Sequence, residues 1–148
     1  MSSDFCGNQL QDILKELAQW SVEGDDGSDD DISPGGCFYE EARAEITNAL
    51  IRGSMPVIIS DSTPIAFTFL GALHRKMTAL LYIQSRQIQL TVDGQDSTRG
   101  MWAAIRRKLA SIANGEQVGE LTSSKGSAST ASLYMIDPAP MLPMYRGL

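Results

Sequence analysis

Between residues 55 and 94 the chain never stays apolar for more than about ten residues, and polar or charged residues cut each run. MPVIIS at 55–60 ends at Asp61-Ser62-Thr63. PIAFTFLGA at 64–72 is followed by the basic triplet His74-Arg75-Lys76, then by MTALLYI at 77–83 and RQIQLTVDG at 86–94. Short apolar runs bounded by turn chemistry read as strands. The last run alternates, with Ile88, Leu90 and Val92 on one side and Gln87, Gln89 and Thr91 on the other, as a half-buried antiparallel strand does. Connections this short allow hairpins and forbid parallel crossovers. The pattern predicts a four-stranded antiparallel meander.

Helical spacing brackets this region. In residues 8–22, Leu10, Ile13, Leu14 and Leu17 form one apolar stripe that Trp20 extends, with Asn8 or Gly7 as N-cap. A second helix is expected from Ser33-Pro34 onward, with Phe38, Ala42, Ile46 and Ala49 on one face and Gly53 as its stop. A third occupies residues 97–115, capped by Asp96 or Ser97. Its stripe is Trp102, Ile105, Leu109 and Ile112, and Asn114-Gly115 ends it. The expected fold class is therefore α+β: a meander packed on one face by two helices, with an N-terminal helical arm and an extended C-terminal arm.

A chain of 148 residues suits one domain with tails. The expected division is an amphipathic arm at 1–22, an acidic mobile linker at 23–36, the core at 37–115, a Ser-rich spacer at 116–132 and an apolar, proline-containing docking tail at 133–148. The linker, EGDDGSDDDISPGG, has almost no apolar surface to offset its ordering entropy. Both arms are candidate docking elements, through Leu10, Ile13, Leu14 and Leu17 in the first and Leu133, Tyr134, Met141, Leu142, Tyr145 and Leu148 in the second. In the tail, Pro140 and Pro143 fit PxxP, and Tyr145 with Leu148 fits a tyrosine-based sorting pattern.

Charge is unevenly placed in a chain of net charge −6. Residues 1–61 hold 13 acids against 3 bases; residues 62–115 hold 7 bases against 2 acids. Those bases, Arg75, Lys76, Arg86, Arg99, Arg106, Arg107 and Lys108, are the candidate surface for a polyanion or an acidic partner. On a helix, Arg99 and Arg106 lie nearly in line beside Ala103 and Ala110. The acidic N-terminal arm could lie across this patch and mask it.

Catalytic and metal motifs are not visible. His74 is the single histidine, expected in a surface turn, and no Cys or Ser is tied to it. Cys6 and Cys37 form no CxxC and read as free thiols. Counted from Asp25 or from Asp26, the acidic run fails the EF-hand pattern. No GxxxxGK[ST] or GxGxxG is present. No metal and no cofactor is expected. The N-terminus carries no secretory pattern, Ser2 gives no myristoylation signal, and no apolar run approaches the roughly twenty residues of a membrane span. A cytoplasmic or otherwise intracellular protein is expected.

The resulting reading is a non-enzymatic interaction or assembly protein that self-associates and meets protein partners through its arms. Its small acidic build with mobile arms is shared by type III secretion chaperones and small viral matrix or accessory proteins, although the sequence carries no motif of either. The alternative is a nucleic-acid-binding protein that uses the basic helix and is autoinhibited by the acidic arm.

Overall fold

A computed structural model of the chain describes residues 4–20, 29–57, 62–86, 91–92, 95–96 and 98–124. Its helices are α1 (Leu10–Gln19), α2 (Asp29–Ile32, a single turn), α3 (Cys37–Arg52), α4 (Pro64–Ser85) and α5 (Thr98–Ala113). Among the described residues β pairing is limited to a two-residue ladder, Thr91–Val92 with Gln95–Asp96, and an isolated bridge between Val118 and Leu121. The α+β meander is thus overturned: the protein is mostly helical. No helix among the described residues is long and apolar enough to cross a membrane.

The correction centres on α4. The runs expected as two strands joined by a basic turn form one helix of 22 residues. Pro64 suits the first helical turn, and no proline interrupts the later turns. α1, α2, α3 and α5 all pack against α4, so apolar residues surround it on most sides. A helix that is apolar on nearly every side loses the one-sided stripe that betrays helical period, and short apolar runs then resemble strands. Inside a helix, successive residues of His74-Arg75-Lys76 point about 100° apart. His74 is buried, Arg75 is half-buried toward α1, and Lys76 is exposed. Of the other expected strands, residues 55–57 have no regular structure, while 58–60 and 87–90 lie outside the described residues.

The three amphipathic helices match their patterns. Ala42, Ile46 and Ala49 of α3 are buried, as are Ile105 and Ile112 of α5, and Ile13 and Leu17 of α1. α3 begins at Cys37, later than the expected opening at Ser33-Pro34, and stops where expected, with Gly53 as its C-cap. Ser54 takes the left-handed conformation (φ 57°), and its N–H and that of Met55 donate to Ile51 and Leu50 in the paired pattern that closes a helix. Gly53 is needed for a different reason: a β-carbon there would run into the Ile112 carbonyl oxygen of α5. α5 closes by the same paired pattern, with Gly115 left-handed (φ 90°) and Glu116 N–H bonded to Ser111 O.

Two peripheral segments join the core. α2 falls inside the stretch expected to be a mobile linker, and Ile32, the one large apolar residue there, is fully buried against α3 and α4. One anchoring side chain is enough to seat a single helical turn. Residues 116–124, from the expected spacer, bury Val118, Leu121 and Ser123, and Ser123 Oγ donates to Gly53 O. Residues 125–132 and the docking tail at 133–148 lie outside the described residues, as do 21–28.

Candidate interaction surface

The N-terminal segment is pinned by a closed polar network. Asn8 Nδ2 donates to Gly71 O (2.9 Å) and meets His74 Nδ1 (3.0 Å), while Asn8 Oδ1 accepts from Arg75 Nη1 (3.1 Å). His74 Nε2 lies 3.0 Å from Tyr39 O. Asn8 can only donate to Nδ1, so the proton sits on Nε2 and the ring is neutral. Tyr39 Oη in turn donates to Asn8 O (2.7 Å) and accepts from Phe5 N (2.6 Å). The expected surface histidine is thus a buried one that ties residues 5–8, α3 and α4 together. Its pKa is lowered to about 4, first by burial, with Arg43 and Arg75 acting in the same direction against the Tyr39 hydrogen bond. Both ring nitrogens are engaged, and burial pushes the nearby Cys6 thiol up to about 11. This constellation has the properties of a structural clasp.

The candidate docking residues of the first arm face inward: Ile13 and Leu17 are fully buried, and Leu10 and Leu14 are partly buried against the core. Their counterparts in the tail, Leu133, Tyr134, Met141, Leu142, Tyr145 and Leu148, lie outside the described residues.

The seven candidate cations do not act alike. Arg75 points to Asn8 and to Glu16 (3.8 Å), inside the molecule. Arg86 lies over the Tyr82 ring (5.4 Å) at the end of α4. Arg106 lies over Trp102 (5.9 Å) and lines a cleft that α5 shares with Glu41 and Glu45 of α3. Arg99 and Arg107 are exposed. Lys76 and Lys108 line a different cleft, of about 270 Å³, walled by Glu16 and Trp20 near the end of α1 and by Leu80 and Met101.

Lys108 also borders a second cleft, of about 280 Å³, with Ile65, Phe69, Ile112 and Val118. Its Nζ stands 5.9 Å from the centre of the Phe69 ring. Ile65 and Phe69 are 64% and 39% exposed; with Ile51 (59%) and Val57 (46%) they are the exposed large apolar side chains of the described residues. All four fall between residues 51 and 69, around the close of α3 and the start of α4. The same end of the bundle receives the close of α5, through the Gly53–Ile112 approach, and Glu120, whose carboxylate accepts from Ile65 N (3.0 Å) and Ala66 N (2.9 Å). Those two amides hold the Glu120 carboxyl below its usual range. Ile65 and Phe69 were unreadable as surface residues because a strand over 64–72 places them in a sheet; the signal that finds them is the four-residue spacing from Ile65 to Phe69.

No group of three or more His, Cys, Asp or Glu side chains among the described residues is placed to hold a metal ion. No family model, no curated protein and no solved structure matches the chain.

Proposed function

We propose that the protein is a non-enzymatic interaction module that binds a protein surface through the apolar end of its helical bundle. The observation that carries this reading is the pair Ile65 and Phe69, exposed on the wall of an open cleft that Ile112 and Val118 also line, with Ile51 and Val57 exposed near the same end of the bundle. Scattered exposed apolar side chains are ordinary; a gathered set beside a concave surface marks a contact site. The dispersal of the cations also favours a protein partner over a polyanion. Arg75 is held internally and Arg106 shares its cleft with Glu41 and Glu45, so the basic residues do not make one continuous stripe.

The test is light scattering during size-exclusion chromatography of the full chain and of the double variant Ile65→Ser, Phe69→Ser, at low and high salt, with and without a single-stranded oligonucleotide. The expected result is self-association that survives high salt and is lost in the variant, since burial of apolar surface is not screened. A monomer that shifts only with the oligonucleotide, and only at low salt, would establish the nucleic-acid reading instead.

A further inference from the structure

The two clefts bordered by Lys108 belong to one groove. Their α4 residues, Ile65, Phe69, Lys76 and Leu80, are spaced by 4, 7 and 4 along one stripe of the helix. Their α5 residues run the opposite way, from Met101 beside Leu80 to Ile112 beside Ile65. The groove therefore follows the seam between two antiparallel helices. From residue 65 to residue 80 it spans about 22 Å, at 1.5 Å per residue.

The other side of this seam is closed by α3, a helix of 16 residues that packs on both α4 and α5. On the groove side α1 packs on α4 and leaves the open cleft between itself and α5. A helix laid in the groove would complete there what α3 completes opposite. Its floor is apolar, with Phe69, Leu80, Ile105 and Ile112, and its ridges repeat at helical spacing, which favours a helix over an extended strand.

Charge gives the occupant its sign. Lys76 and Lys108 stand on the middle of the groove, and neither forms an ion pair among the described residues. Of the groove's acids, Glu16 is already paired with Arg75 and Glu116 lies at the far end, beyond the close of α5. We infer that the α4–α5 groove binds an amphipathic helix of a partner protein, about four turns long, with acidic residues flanking the apolar stripe in its middle turns. This rests on the interaction-module reading and narrows it to one groove and one class of partner.

The experiment selects displayed helices of about 16 residues against the full chain. The apolar stripe is fixed at i, i+4, i+7 and i+11, and the flanking positions vary between Glu and Lys. Enriched sequences are then made as labelled peptides and measured by fluorescence anisotropy. The expected result is enrichment of Glu at the central flanks, with affinity falling about tenfold or more in Phe69→Glu and the Glu preference reversing to Lys in the double variant Lys76→Glu, Lys108→Glu. Circular dichroism confirms that these surface variants are folded. Enrichment of Lys, no enrichment, or binding indifferent to Phe69 and to both lysines overturns the inference. The broader reading fails separately: it falls if the chain also shows no salt-resistant association dependent on Ile65 and Phe69.

Discussion

Asn8 and His74 are 66 residues apart in the chain and meet at 3.0 Å inside the protein, amide nitrogen to ring nitrogen. The contact fixes the tautomer of the histidine, because the remaining amide proton of Asn8 is committed to Gly71 O and its oxygen to Arg75. Protonating Nδ1 would set donor against donor. Flipping the amide would only move the conflict, placing its NH2 against the Arg75 guanidinium and its oxygen against the Gly71 carbonyl.

Acid should therefore loosen the fold through one residue. The folded pKa of His74 is about 4 against an ordinary 6.5, so between those values the unfolded chain binds more protons. Stability contributed by neutral His74 is complete above about pH 6.5, declines as pH falls toward 4, and the loss totals on the order of 3 kcal/mol. Urea unfolding midpoints between pH 7 and 5, above most carboxylate titrations, would show the decline. Because His74 is the single histidine, its imidazole NMR signal reports the folded pKa directly. Asn8→Asp, which sets a carboxylate against Nδ1, should raise that pKa.

The junction of α3 and α5 predicts two substitutions of opposite sign. Ser54 is a non-glycine residue at φ 57°, a conformation that costs an L-residue about 1 kcal/mol, so Ser54→Gly should raise stability by up to that amount. Gly53→Ala should lower it by about 1–3 kcal/mol, because its β-carbon has no room beside Ile112 O. Denaturant midpoints of the two variants against the parent chain settle both.

Trp102 and Ile105 face the same cleft and should respond differently to truncation. The Trp102 Nε1–H is buried and has no acceptor among the described residues. Trp102→Phe removes that unsatisfied donor along with some apolar area, and the two effects should cancel to within about 1 kcal/mol. Ile105→Ala leaves a cavity under α5 and should cost about 2–4 kcal/mol. Thermal or urea unfolding of the two single variants would show whether this ordering holds.

Glu120→Gln should act locally. The carboxylate receives two N–H groups at the start of α4, which is where a negative charge best opposes the helix dipole. Amide exchange of Ile65 and Ala66 should quicken in the variant, while the amides of Ala79 and Leu80 deep in α4 keep their protection.

Three of the four long helices could be read from the sequence, and the reason is one-sided burial. α1, α3 and α5 each turn one face to the core, so Leu10, Ile13 and Leu17, or Ile105 and Ile112, recur at helical spacing. α4 is packed on most sides and carries apolar residues on its open side as well, at Ile65 and Phe69, so it writes no such stripe; its Gly71, buried against Cys6, and its basic triplet imitate punctuation. The candidate site was half visible for the same cause. Lys108 stood out on a legible helix, whereas Phe69, which it overlies, was hidden in a segment whose period had been masked.

The cap on α4 has a consequence for biosynthesis. Glu120 lies 55 residues beyond Ile65, so a nascent chain has completed the whole of α4 before the carboxylate that closes its amino end exists. α1, α3 and α4 can assemble around His74 while the remainder is still being made, since every member of that clasp comes from residues 5–75. The apolar end of the bundle is then finished last, and until α5 and residues 116–124 emerge it is the part of the newborn protein most open to a chaperone, or to another copy emerging beside it.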